Sequence, residues 1–482
     1  MVFSTPVFLF AFLPLTLIAF YIVNRRFGHE AGLGFLLIAS LIFYGWWDVR
    51  FMPLILGSML VNYLIARAIQ PGSGGWLLAF GVTLNLAALG VFKYASFFIA
   101  NINAATGLEL TDPGLPLPLA ISFFTFQQIA FLVDTARRVT APDDKPHRYG
   151  LFVAFFPQLI AGPIVHHRVI APQFGEPGRQ REILTNVGIG LSIFTIGLAK
   201  KVVVADNVAP FANAAFDSAA AGEPVGFLLA WSGALAYTLQ IYFDFSGYSD
   251  MALGIARMFG FQLPVNFNAP YKARSITDFW RRWHITLSQF LRDYLYVSLG
   301  GNRMGYARTL ANLMIVMLLG GLWHGAAWTF VVWGGLHGAA LIWCRLLDRW
   351  LPDGLFGRFW IGSAACTFVF VVITWVFFRA ASFDAAAIML QGMAGLNGIG
   401  DNPSNSPFIA ITIGFVLVWA LPETAQIFYR QIDPQILKTA GVNPPRKERW
   451  KPNARWSIGL ALLLFACMIA SWSYSEFIYY NF

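Results

Sequence analysis

The sequence predicts an all-α polytopic membrane protein, and three observations carry that expectation. Hydrophobic residues make up 57% of the chain and charged residues 12%, where soluble domains carry about a quarter charged residues. Apolar segments long enough to cross a bilayer recur from the first residues to the last, separated by turn residues and charge. Lys and Arg exceed Asp and Glu, 33 against 24. In a chain this apolar, that excess reads as positive-inside topology rather than as a nucleic-acid surface. The whole chain, residues 1–482, reads as a single membrane domain.

The first apolar segment, Pro6–Val23, has no basic leader and no small-residue cleavage site, so a retained span is expected. Leu33–Trp47, Met52–Ile69, Trp76–Ile99 and Pro118–Val133 follow it. Arg25, Arg26 and Arg67 mark cytoplasmic ends. The loop Asn101–Leu117 holds acids and no Lys or Arg, so it faces outward. Arg137, Arg138, Lys145 and Arg148 mark the return, which puts the N-terminus outside. The run YGLFVAFFPQLIAGPIVHHR is interrupted by Pro157, Gly162 and Pro163 and fits a re-entrant or in-plane piece, with His166 and His167 at its mouth as interfacial residues.

Ile183–Ala205 and Phe227–Met258 are the next expected spans. Lys200 and Lys201 fit the first awkwardly, and Asp244 and Asp250 interrupt the second. Buried carboxylates need partners: either they pair with cations and cap broken helix ends, or they act on a substrate. Trp328–Trp343, Phe359–Phe378, Phe408–Leu421 and Ile458–Trp472 complete the spans, with a strongly basic cytoplasmic loop at Lys438–Arg455 and the tail SYSEFIYYNF delivered outside. Cys344, Cys366 and Cys467 are scattered without paired spacing, so neither a disulfide framework nor a metal site is expected.

Pro270–His337 is the stretch least like ordinary span. On one helix Trp280, His284, Leu287, Leu291 and Tyr294 would share a stripe facing the protein, leaving Arg281, Arg282 and Arg292 free to meet water or anionic groups. The apolar rise from Thr309 to His324 covers roughly 22 Å, which carries His324 past the midplane of a hydrocarbon layer about 30 Å thick. An ionisable residue at that depth is a functional candidate. A buried histidine bonded to a neighbouring helix is the alternative.

FFPQLIAGPI, YFDFSGYSDMALGIARMFGF, PVNFNAPYKARSITDFWRRWHITLSQFLRDYLYVSLGGNR and GGLWHGAAWTFVVWGGLHG together resemble the membrane-bound O-acyltransferase family, in its bacterial alginate O-acetylation and D-alanyl transfer branch, over most of the chain. The resemblance implies a ring of tilted helices, with re-entrant or in-plane segments, around a thinned central active site. It implies His324 as the catalytic histidine and His284 as the second, with residues 270–303 forming an amphipathic cytoplasmic-side segment.

The branch moves an acyl group from a cytoplasmic thioester, here acetyl-CoA or a carrier-protein thioester and no bound cofactor, to an extracytoplasmic acceptor. An SGNH-type acetyltransferase usually completes delivery to a polysaccharide. A bacterial inner-membrane location follows, with both termini periplasmic.

On that reading His324 acts as general base, and His284 orients the donor or holds the second proton. Arg281 and Arg282, with Arg274 and Arg292, would meet donor phosphates or simply anchor the interface. Trp280, Trp323, Asp244 and Asp250 complete the candidate substrate-binding set. FIYYNF, residues 477–482, resembles an acyl-carrying C-terminal motif, implying Tyr479, or its neighbour Tyr480, as a transient acceptor. The competing readings are a multi-span transporter or flippase, in which the buried acids and His324 form a path, and a scaffold that recruits the outer transferase.

Overall fold

The computed structural model describes residues 2–69, 75–350, 360–400, 406–447 and 449–470. All regular structure among them is helical. Seven helical runs are long and apolar enough to cross a membrane: Phe8–Phe27, Val49–Ala68, Trp76–Thr106, Ile183–Ala220, Tyr306–His324, Trp328–Arg349 and Ile361–Arg379. His29–Gly45, Pro407–Ala420 and Ala454–Ala470 are shorter apolar helices. The expected spans Pro118–Val133 and Phe227–Met258 are also helical but are not among these apolar runs, and the all-α membrane class stands. The chain groups into two compact units, Met1–Phe194 with Tyr248–Pro264, and Thr195–Gly247 with Val265–Phe482.

The first unit contains α1 (Leu13–Phe27), α2 (His29–Gly45), α3 (Met52–Ala68), α4 (Trp76–Leu89), α5 (Ala95–Thr106) and α6 (Ile121–Ala136). It also takes the start of α10 (Ile183–Ala199) and the end of α12 (Phe227–Met258). Its core is aromatic: Phe3 stacks on Tyr248 at 4.6 Å, and Phe43 meets Phe156 at 5.3 Å.

The interrupted segment is broken, as its prolines and glycine predict, into α7 (Pro146–Ala154), α8 (Phe156–Leu159) and α9 (His167–Phe174). Residues 149–167 are all buried, so the irregular backbone lies against protein. The expectation of interfacial histidines is corrected here. His166 and His167 are 6% and 4% exposed, and His167 Nδ1 bonds the Thr140 hydroxyl at 2.7 Å between the rings of Phe131 and Phe152. A hydrogen-bond partner and aromatic walls make a buried imidazole tolerable, which the flanking Arg168 concealed in the sequence.

Ahead of the apolar run of α2, Glu30 gathers Lys145 at 2.7 Å, His147 at 2.8 Å and Arg148. Burial alone would raise its carboxyl pKa. Hydrogen bonds from Arg148, Lys145 and His147 outweigh burial and bring it down to about 2.

In the second unit a π-turn, Lys200–Ala205, joins α10 to α11 (Asp206–Ala220). It resolves the awkward lysines: Lys201 Nζ lies 2.7 Å from Asp206 and 2.8 Å from Asp244 of α12, while Lys200 reaches Glu423 at 3.6 Å. The span continues through the lysines to Ala220 because Asp206 and Asp244 neutralise Lys201 while Glu423 faces Lys200.

The remaining helices are α13 (Ile276–Trp280), α14 (Ile285–Phe290), α15 (Tyr306–His324), α16 (Trp328–Trp350), α17 (Trp360–Arg379), α18 (Phe383–Met393), α19 (Ser406–Ala420), α20 (Thr424–Ile427), α21 (Pro434–Thr439) and α22 (Ala454–Ala470). α15 and α16 form a hairpin whose backbones touch. A Cβ on Gly321 would stand 2.2 Å from the Phe330 carbonyl, and one on Gly334 would stand 2.2 Å from that of Met317.

Candidate active site

The helical stripe expected across Trp280–Tyr294 is not continuous. α13 ends at Trp280, α14 begins at Ile285, and His284 between them takes φ 42°, left-handed and costly for a residue other than glycine. Asn266 holds the break. Its side-chain oxygen accepts from His284 Nδ1 at 3.2 Å, from Thr286 N at 3.2 Å and from the Thr286 hydroxyl at 2.9 Å, while its carbonyl accepts from Ile285 N at 3.0 Å.

The Thr286 amide can only donate, which fixes that oxygen as an acceptor and makes Nδ1 the protonated nitrogen of His284. In the neutral ring Nε2 then carries the lone pair. His284 is fully buried, and Nε2 has no hydrogen-bond partner among the described residues.

His324 is the last residue of α15 and is 3% exposed. Gly325 ends the helix, and a Cβ there would lie 2.1 Å from the Phe330 ring, so any larger residue would have to displace that ring. Trp323, Trp333 and Phe378 surround the His324 imidazole at centroid distances of 4.9, 5.2 and 5.1 Å. Trp323 is also 6.1 Å from His284. The two histidines nominated from sequence are thus joined through one indole. Phe245 closes the other side of His284, edge-on at 4.7 Å.

A third histidine escaped the sequence reading. His337 on α16 is fully buried and accepts from Trp280 Nε1 at Nδ1, 3.3 Å; its Nε2–H donates to Thr374 at 3.1 Å, and Thr374 donates to the Val371 carbonyl at 2.9 Å. Indole nitrogen only donates, so the direction of this relay is set. The signal was present in the sequence: the pattern Gly-Gly-Leu-Trp-His-Gly ending at Gly325 returns as Gly-Gly-Leu-His-Gly ending at Gly338.

The other nominated residues fall in several places. Trp280 lines this relay, with its ring 5.8 Å from Trp333. Arg281 is exposed; Arg282 is tied to Asp278 at 2.8 Å and to the Asn268 carbonyl at 3.3 Å; Arg292 is tied to Asp293 at 2.6 Å. Asp244 is 1% exposed and committed to Lys201. Asp250, partly buried, belongs to the first unit. Tyr479 and Tyr480 lie outside the described residues.

A family model for MBOAT, the membrane-bound O-acyltransferase family, matches residues 145–384, a window that holds His284, His324 and His337. A peptidoglycan O-acetyltransferase of Helicobacter pylori is 45% identical over 433 residues, which is 83% of this chain and 81% of that protein. A probable alginate O-acetylase of Pseudomonas putida is 40% identical over 515 residues, covering 100% of both. A teichoic acid D-alanyltransferase of Bacillus subtilis is 26% identical over 241 residues, 48% of this chain and 60% of that one.

Proposed function

The chain belongs to the membrane-bound O-acyltransferase family, and from that premise we propose that it acetylates a cell-envelope or exported polysaccharide from the inner membrane. Membership selects the acyltransferase expectation over the transporter one. The names of the relatives, a peptidoglycan and an alginate O-acetyltransferase, support an acetyl group and a polysaccharide acceptor. The donor in this proposal is a cytoplasmic acyl thioester, with acetyl-CoA the simplest. The outer acceptor system includes an SGNH-type transferase, and both termini are periplasmic.

The observation that carries the reading is the pairing of His324 and His284 across Trp323 in a water-poor aromatic pocket. His324 takes the proton of an acceptor hydroxyl. The hydroxyl oxygen forms the new ester bond as the thioester C–S bond breaks, and the thiol leaves with a proton. His284, its Nδ1–H held by Asn266, presents the Nε2 lone pair to an N–H of the donor and so orients the thioester. The acceptor hydroxyl is the Tyr479 phenol, which then passes its acetyl group outward.

Peptide mass spectrometry of the purified protein after incubation with acetyl-CoA tests this. An acetyl adduct on the C-terminal peptide should form in the parent and be absent from His324→Ala and Tyr479→Phe. An adduct that persists in His324→Ala would overturn the base assignment. Polymer acetylation in cells that survives Tyr479→Phe would overturn the carrier.

A further inference from the structure

The second unit contains a cavity of about 830 Å³ away from the histidines. Its walls come from the end of α10 and the π-turn, from α12 at Tyr242, from the end of α19, from α20 and from the first half of α22. Val203, Leu417, Leu460 and Leu463 typify the lining. The engineered apolar cavity that binds benzene is only about 150 Å³, so this chamber is ample for a hydrocarbon chain.

α22 is the wall that leaves the gap open. Of its residues only Cys467 is buried, so most of the helix is not packed on the rest of the unit.

The polar lining is lopsided. Glu423 is already satisfied: it meets Lys200, accepts from Ala269 N at 3.0 Å and from the Tyr242 hydroxyl, and caps α20. Arg449 and Arg455 also line the cavity, and neither guanidinium has an ion-pair partner among the described residues. Trp456 fixes this edge by donating Nε1 to the Arg449 carbonyl at 2.9 Å. Both arginines sit in a run that also carries Arg446, Lys447 and Lys451, with Glu448 the one acid among them. Such juxtamembrane polybasic segments meet the anionic leaflet, and a Trp at the same level is a usual interfacial anchor.

We propose that this cavity is a binding site for an anionic phospholipid, with one acyl chain in the chamber and the phosphate on Arg449 and Arg455. Charge complementarity favours that occupant over a zwitterionic lipid: Glu423, the one acid among the described lining residues, is already satisfied, and the run 446–455 carries five basic residues against one acid.

Native mass spectrometry of the detergent-purified protein, with extraction of the retained lipid, tests the proposal. The parent should hold phosphatidylglycerol and release phosphatidylethanolamine. Arg449→Ala/Arg455→Ala should cut retention roughly tenfold or more, whereas Arg449→Lys/Arg455→Lys should keep most of it. Gly459→Trp adds bulk to a lining position where a Cβ meets nothing within 4 Å; it should expel the lipid without touching the arginines, which separates loss of the site from loss of fold. Equal retention of the two lipids, unchanged retention in the alanine pair, or displacement by inorganic phosphate alone would each overturn it.

Discussion

Replacing Lys201 by Met tests what keeps two helical runs together in the second unit. Lys201 is 3% exposed and Asp244 1%, with 2.8 Å between the charged atoms. Taking the cation away leaves the Asp244 carboxylate buried without its counter-charge. Breaking a buried pair from one side typically costs roughly 3–5 kcal/mol. Asp206 has its side chain 18% exposed and can recruit water, so Asp206→Asn should cost no more than about 1 kcal/mol. The double variant Lys201→Met/Asp244→Leu removes both charges and should return to within about 1 kcal/mol of the parent, because an apolar pair of similar volume often substitutes for a buried ion pair. Unfolding in detergent with added dodecyl sulfate, followed by tryptophan fluorescence, reads these differences, and acyl transfer per folded molecule should survive in the double variant. If Lys201→Met matches the parent, or the double variant falls as far as the single one, the assignment of a structural ion pair fails.

His337→Leu strips the buried Trp280 indole of its acceptor and should cost roughly 1–3 kcal/mol; His337→Gln, which keeps an acceptor, should recover much of that, and equal thermal midpoints for the two would refute the relay. Glu30 offers a pH test. Its folded pKa of about 2 lies below its ordinary 4.5, so its contribution is fully present above about pH 4.5 and lost as the pH falls towards 2. The thermal midpoint should therefore drop through that window, and less so in Glu30→Gln; parallel curves for the two proteins would refute the clamp. Asn266→Ala removes the acceptor shared by His284 and Thr286 and should lower acyl transfer more than stability, with Asn266→Asp partly restoring both; a loss of stability alone would refute its role in positioning His284.

The helices, the interrupted segment and the end of the long helix at His324 were legible because each depends on local sequence: apolar run length, prolines, and the glycine that follows the run. The break at His284 was not. The spacing of Trp280, His284, Leu287 and Leu291 fits a helix, and it is Asn266, from a separate loop, that captures His284 and Thr286 and overrides that periodicity. Lys201 looked misplaced for the same reason, since its partner Asp244 arrives only when α12 packs. His337 was passed over because a histidine inside an apolar helix declares nothing until its two neighbours, Trp280 and Thr374, are in place.

The glycine contacts between α15 and α16 have a mechanical consequence. With Gly321 and Gly334 in backbone contact, no side chain separates the two arms at that point of the hairpin. His324 at the end of one arm and His337 within the other then travel as fixtures of one stiff strut. Any rearrangement around His324 is therefore expected in the parts that face this strut, the kinked segment carrying His284 or the helix carrying Phe378, with His324 itself as the fixed point.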